Sequence, residues 1–184
     1  MLITPLQLHD EPLELDEIFA PGAIDFGELL TQSGPLPVRG TADLLIEHRG
    51  PKQLVEDIRL RASFDGLFET PCARCIEPVS LPLAHAFDLI FRPAGADTIT
   101  GEHAISPDDT EIGYYGTSGL LLEDVVREQV LLSLPERTLC QPDCKGLCPL
   151  CGQNLNQKAC TCRAQSPVDT RWNALADLAD RFKK

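Results

Sequence analysis

Eight cysteines, in a chain with a single methionine and a single tryptophan, constrain this sequence more than any other feature. Six fall in one run, at Cys140, Cys144, Cys148, Cys151, Cys160 and Cys162; the other two, Cys72 and Cys75, flank Ala73-Arg74. Cysteines separated by one or two residues present two sulfurs to one ion, and zinc takes four such soft ligands at the corners of a tetrahedron. All eight are therefore candidate metal ligands, for one or two Zn2+ ions. The nearest histidines in sequence, His85 and His103, lie far from the cysteine run. All-cysteine sites are structural, because a catalytic zinc keeps a position open for water.

Two other uses of paired cysteines compete. A disulfide framework is disfavoured because Cys160-Thr161-Cys162 is too tight a pair to close on itself. A redox dithiol needs the pair at a helix N-terminus, where the dipole lowers the thiol pKa. Cys72 instead follows a predicted strand, and Glu77-Pro78 follows Cys75. The first residues lack the positive region of a secretory signal, and no apolar run approaches the ~20 residues of a membrane span. The expectation is a cytoplasmic protein whose thiols stay reduced.

Within the run, Cys148-Pro149-Leu150-Cys151-Gly152 has the form of a zinc knuckle. Pro149 fixes one dihedral of the turn, and Gly152 can take the left-handed conformation that turns backbone amides toward sulfur. One pairing joins Cys148 and Cys151 with Cys160 and Cys162, and Cys72 and Cys75 with Cys140 and Cys144. An interleaved pairing, or one ion with spare thiols, fits the spacing too. Four thiolates around one zinc carry a charge of about −2. Lys145, Lys158 and Arg163, set against Asp143, can offset it, as can Arg74 in the other pair.

Elsewhere the chain is acidic, with net charge −12. Residues 1–38 hold Asp10, Glu11, Glu14, Asp16, Glu17, Asp25 and Glu28 and no lysine or arginine, and residues 102–124 repeat the bias. Such a surface repels phosphate backbones and attracts basic partners.

Hydrophobic periodicity predicts an α+β fold: an antiparallel sheet of hairpins or a meander, one main helix, and a cysteine-rich zinc-ribbon-like tail ending in a short helix. A first strand is expected near Leu2–Leu8, then irregular or briefly helical chain. Val38–Glu47 and Ile58–Phe64 alternate as half-buried strands. Asp65-Gly66 reads as a hairpin turn, followed by a strand at Leu67–Thr70. Val79–Phe91 is a long strand whose Pro82 demands an edge or a bulge, with His85 as a core or rim residue. A short strand is expected near Glu111–Tyr115. Helical spacing covers residues 120–134, with Ser118 as N-cap, Glu123 and Asp124 in the first turn, and Pro135 as terminator. Ser166-Pro167-Val168-Asp169 opens a terminal helix carrying Trp172, Leu175, Leu178 and Phe182 on one face. This divides the chain into a sheet domain over 1–135 and a metal-binding tail over 136–184 packed on it.

No phosphate loop, nucleophile elbow, His-Glu-x-x-His or dinucleotide fingerprint is present, and Asp108-Asp109 reads as a solvated loop pair. The expectation is a protein that is not an enzyme and takes no small-molecule substrate.

The string from Leu121-Leu122-Glu123-Asp124 through Leu134-Pro135, then Cys144-Lys145-Gly146-Leu147-Cys148, Cys151-Gly152, Asn154-Leu155-Asn156 and Cys160-Thr161-Cys162, resembles the bacterial YceD family. Cys72 and Cys75 match that family's upstream pair. The resemblance implies a role in accumulation of large-subunit ribosomal RNA, hence in ribosome assembly, with no known catalytic reaction. Some members lack the C-terminal cysteines, which implies that zinc stabilises rather than defines the family's function. The partners expected are a precursor of the large subunit, one of its basic proteins, or its RNA. Direct RNA binding through the cysteine module, and a thiol-redox or metal-handling role, are the alternatives.

Overall fold

The computed structural model describes residues 1–48, 54–96 and 112–162. Eight strands and two helices run in the order β1 (Leu2–Ile3), α1 (Pro5–Leu8), β2 (Leu13–Phe19), β3 (Thr31–Gln32), β4 (Leu36–His48), β5 (Leu54–Pro71), β6 (Pro78–Pro93), β7 (Ile112–Tyr115), β8 (Leu120–Leu121) and α2 (Leu122–Leu132). The chain divides into two compact units. One comprises Met1–Pro71 with Pro78–Thr138; the other comprises Cys72–Glu77 with Leu139–Lys184.

The first unit is built on a six-stranded sheet in the order β2-β4-β5-β6-β7, with β3 also paired to β5. Every pairing in it is antiparallel except the last, where β7 lies parallel to β6. The sheet is thus mixed rather than the purely antiparallel arrangement expected from the hairpin signals.

The largest departure concerns Asp65-Gly66. No turn forms there; β5 runs straight through as an 18-residue strand. Ile58, Leu60, Ala62, Phe64 and Phe68 face the core, while Arg61, Ser63, Asp65, Leu67 and Glu69 are exposed. Gly66 falls on the buried parity, where an added Cβ would lie 2.6 Å from Leu36 Cδ1. Glycine is required here by close approach rather than by a turn, so the same dipeptide carries the opposite meaning. The real hairpin turn comes six residues later, at Cys72–Glu77, and β6 returns from Pro78 in unbroken register with β5.

Pro82 sits opposite Leu67 on β6. β7 pairs only with Ile90–Pro93, so Pro82 needs no ladder bond on that side. His85 is an exposed rim residue, with the rings of Phe64 and Phe87 at 6.1 and 6.5 Å.

The first strand is shorter than expected, and Pro5–Leu8 turns as a helix after it. The acidic stretch expected to be irregular supplies β2. Leu15 and Phe19 point inward there, and Glu14 and Asp16 stay exposed. β1 pairs with β8 through Leu2–Leu121 and Ile3–Leu120. That pairing claims Leu120 and Leu121 for extended backbone. The N-cap of α2 is therefore Leu121, without a side-chain cap, and not Ser118. Glu123 and Asp124 do occupy the first helical turn, and Leu122, Val125, Val126, Gln129 and Val130 form the buried stripe. Leu132, the last residue of the helix, is exposed.

Asp57 is a buried carboxylate. One step beyond the paired residues Ile58 and Phe91, its carboxylate takes Arg92 Nη2 at 2.8 Å; Glu47 accepts from the same nitrogen at 2.9 Å. Across the rest of the sheet, Arg39, Arg59 and Arg61 each pair with a carboxylate, of Asp16, Asp88 and Asp43. Among the described residues no helix is long and apolar enough to cross a membrane. The Arg49-Gly50-Pro51 sequence, whose glycine and proline signal a turn, His103, Asp108-Asp109, Glu111, Arg163 and the terminal helix signal from Ser166 onward lie outside the described residues.

Candidate metal centres

The second unit begins with a tight turn that occurs in it twice. In Cys72-Ala73-Arg74-Cys75-Ile76-Glu77, the amide of Cys72 donates to the carbonyl of Glu77 at 2.8 Å, and the amide of Ile76 donates to that of Cys72 at 3.0 Å. In Cys148-Pro149-Leu150-Cys151-Gly152-Gln153, the amide of Cys148 donates to Gln153 at 2.8 Å and the amide of Gly152 to Cys148 at 2.9 Å. The fifth residue is left-handed in both turns, with φ of 65° at Ile76 and 72° at Gly152. Glycine takes that conformation without cost, whereas a β-branched residue such as Ile76 resists it. Both turns are zinc knuckles in backbone geometry, although only the second announces itself by a glycine.

The eight sulfurs gather into two groups of four, Cys72, Cys75, Cys140 and Cys144 in one and Cys148, Cys151, Cys160 and Cys162 in the other. Within each group all sulfurs lie within 4.8 Å of one another. Of the pairings open from spacing, this is the one in which each knuckle recruits a later pair. Zinc–sulfur bonds of ~2.3 Å set the edge of a regular tetrahedron at about 3.8 Å. The Cys72–Cys144 separation is 3.8 Å and the Cys75–Cys140 separation is 3.5 Å, so the first group already has tetrahedral dimensions. Donor number, donor type and spacing all fit a four-coordinate, closed thiolate site.

The surroundings supply what a cluster of thiolates needs. Cys72 Sγ receives the amides of Arg74 at 3.5 Å and Cys140 at 3.4 Å. Asn156 Nδ2 donates to Cys144 Sγ at 3.3 Å, while Asn156 Oδ1 accepts the amide of Lys145 at 2.8 Å. Arg74 Nη1 donates to the carbonyl of Cys144 at 2.8 Å. Its own carbonyl accepts the amide of Leu147 at 3.1 Å, which joins the two knuckles through backbone.

These contacts divide the thiols. Burial opposes ionisation of Cys72, but the backbone amides around it outweigh that and hold its pKa near 6. The side-chain amide of Asn156 leads in lowering Cys144. Cys140, sharing a proton with Cys75 in a hydrogen bond, is pushed up to about 12. In the second group the amides of Leu150 and Cys151 hold Cys148 near 6, while hydrogen bonding to Cys151 pushes Cys162 up to about 12. The first group thus sets two lowered thiols, Cys72 and Cys144, beside two raised ones, Cys75 and Cys140, and the second sets Cys148, lowered, beside Cys160 and Cys162, raised.

Asn156, Arg74 as a carbonyl partner, and Ile76 were not singled out for these roles from sequence. The Asn154-Leu155-Asn156 string between cysteine pairs was the available signal for the first. The pattern Cys-x-x-Cys-Ile repeating Cys-x-x-Cys-Gly was the signal for the last.

The family described as large ribosomal RNA subunit accumulation protein YceD matches residues 60–179, which include every cysteine and more than half of the chain. The chain belongs to the YceD family. Similar curated relatives include the uncharacterized proteins Mb2951c of Mycobacterium bovis and MT2996 and Rv2926c of Mycobacterium tuberculosis. Each is 30% identical over 131 residues, covering 66% of this chain and 60% of the relative. The aligned part therefore spans less than two thirds of those relatives' length. No solved structure matches the chain significantly. The name of the YceD family points to large-subunit ribosomal RNA accumulation.

Proposed function

We propose that this chain is a cytoplasmic, non-enzymatic assembly factor for the large ribosomal subunit, and that each group of four cysteines holds one structural zinc ion in a zinc-ribbon-like module. Membership of the YceD family carries the first half of this reading. The tetrahedral sulfur spacing carries the second. When bound, zinc supplies a closed cross-link between each knuckle and the later cysteine pair. The protein's own residues position the thiolates and neutralise them through amides.

The charge map favours a basic protein partner on the subunit over naked RNA. Net charge is −12, and three arginines on the sheet are paired with carboxylates. The RNA-binding reading draws on Arg74, Lys145 and Lys158 in the cysteine unit. Of these, Arg74 already donates to a backbone carbonyl.

Sedimentation of a lysate through a sucrose gradient tests the assembly role. The expected result is a peak of the protein with immature large subunits, lost at high salt. A protein found wholly at the top of the gradient overturns it. Crosslinking to ribosomal RNA that disappears when Lys145 and Lys158 are both changed to alanine would favour the RNA reading instead. Metal content near two equivalents after purification without added zinc is expected for the centres.

A further inference from the structure

Within the sheet unit, a groove of about 620 Å³ opens beside the start of α2. Its apolar lining includes Leu2, Phe91, Tyr114 and Leu121, and its acidic lining is Asp124 and Glu128. Leu2, Tyr114 and Leu121 are 42%, 56% and 40% exposed, a concentration of large apolar side chains in contact with water. They stand on regular backbone: Leu2 and Leu121 are cross-strand partners, and Tyr114 belongs to β7. Such a patch beside a concavity marks an interaction site more often than a solvated face.

The charge on the groove has one sign. Asp124 and Glu128 are four residues apart on α2, so their side chains are neighbours one helical turn apart. Among the described lining residues there is no lysine, arginine or histidine. Two carboxylates at that spacing repel one another, a cost that an arriving cation reverses. An apolar floor under an acidic rim rejects phosphate backbone and acidic peptides. It accepts a large apolar side chain flanked by cations.

We propose that this groove binds a basic segment of a partner protein. One apolar side chain seats against Leu2, Tyr114 and Leu121, and flanking lysine or arginine residues reach Asp124 and Glu128. In an extended segment, alternate residues on one face are about 6.8 Å apart, close to the ~5–6 Å between Cβ atoms at i and i+4 of a helix. Two cations on alternate positions of a strand therefore match the two carboxylates. The proposal rests on the assembly-factor reading for the source of the partner, and names the surface that would engage it.

The test uses the full, zinc-loaded chain labelled with 15N and three short synthetic peptides. The first carries leucine with arginine at the second and fourth positions after it, so that all three share one face of an extended chain; the second replaces the arginines by glutamate, and the third replaces the leucine by serine. The expected result is that only the first shifts the amide resonances of Tyr114, Leu121, Asp124 and Glu128. Changing Asp124→Asn and Glu128→Gln together should weaken that binding by about threefold to tenfold at low salt and flatten its salt dependence. Both changes keep side-chain shape at exposed sites, and a dispersed spectrum of the variant checks its fold.

Several results would overturn the proposal. They are an equal response to the glutamate peptide, binding untouched by the double variant, or the same resonances moved by a single-stranded RNA oligomer. Nuclear Overhauser contacts placing the chain's own residues 97–111 or 163–184 in the groove would do so as well. Wild type and double variant that co-sediment equally with immature subunits remove the groove but leave the assembly role. Wild type absent from those particles removes the assembly role and leaves the peptide result standing.

Discussion

If each group of four cysteines holds zinc as proposed, the two cross-links should differ in what they contribute to stability, because they close loops of very different length. The first centre joins Cys75 to Cys140 across 65 residues. The second joins Cys151 to Cys160, nine residues apart by number (160 − 151 = 9). Loop-closure entropy scales as (3/2)RT ln n, so the longer loop removes about 1.8 kcal/mol more from the unfolded state. Replacing Cys140 by serine and, separately, Cys160 by serine opens one centre at a time, with the ion's own coordination loss similar in the two. After dialysis against a chelator that strips three-thiolate sites, each variant should retain one equivalent of zinc by mass spectrometry. The Cys140→Ser protein should melt about 4–7 °C below the Cys160→Ser protein, given about 2–4 °C per kcal/mol for a chain of this size. The readout is the far-ultraviolet signal of the sheet. Equal melting temperatures, the reverse order, or loss of both equivalents in either variant would refute the reasoning, the last because it would mean that the centres are not independent.

Three further outcomes follow from the geometry. Asn156→Ala removes the donor to Cys144 Sγ and leaves the Lys145 amide without its acceptor, so zinc affinity at the first centre should fall about 10–100-fold while the second is unchanged, measured by competition with a chromophoric chelator. Asp57→Asn removes one charge partner of Arg92, itself only 8% exposed, and should cost about 1.5–3 kcal/mol in urea unfolding; a loss under about 1 kcal/mol would show that the remaining partners of Arg92, Glu47 among them, suffice. Zinc binding should weaken on acidification. At neutral pH Cys72, near 6, is thiolate, whereas Cys140, at about 12, and Cys75, raised, keep their protons. Binding at the first centre then displaces at least two protons, so affinity drops about 100-fold per pH unit and faster below pH 6, where Cys72 also protonates. The sign is the same for stability. A thiol whose pKa is lowered on folding contributes above its ordinary pKa and loses that contribution as pH falls through 6. Calorimetry in buffers of different ionisation enthalpy counts the protons, and release of fewer than two would contradict the assignment.

The parts of the fold that were legible in the sequence are those where one physical signal dominates. Alternation survives where one face of a strand meets water and the other the core, as at Val38 and Ala42 of β4 and Leu83, Phe87 and Phe91 of β6, and it fades at Ile46 and His85, which are exposed. The helix over Leu122–Leu132 was visible for the same reason, but its start was not: pairing of Leu120 and Leu121 with β1 is a long-range contact that no local window contains. β2 escaped notice because Ile18, 63% exposed, breaks its alternation. Gly66 misled because a glycine that avoids a neighbour and a glycine that makes a turn look alike until the neighbour, Leu36, is in place. At the candidate metal centres, the cysteines stand out as candidate ligands from the chemistry of sulfur alone. The grouping into fours joins sulfurs far apart in the chain, which no local window contains, and the amide donors depend on the grouping.

The hairpin turn at Cys72–Glu77 sets an order of events during synthesis. Cys72 and Cys75 leave the ribosome 68 and 65 residues before Cys140, a wait of roughly 3–14 s at ordinary elongation rates. For that interval the nascent chain displays half a coordination shell, able to hold a cation loosely but not to close on it. Completion requires the later cysteines, so the first centre closes only on a chain translated past Cys144, and a truncated product is left with an open pair of thiols.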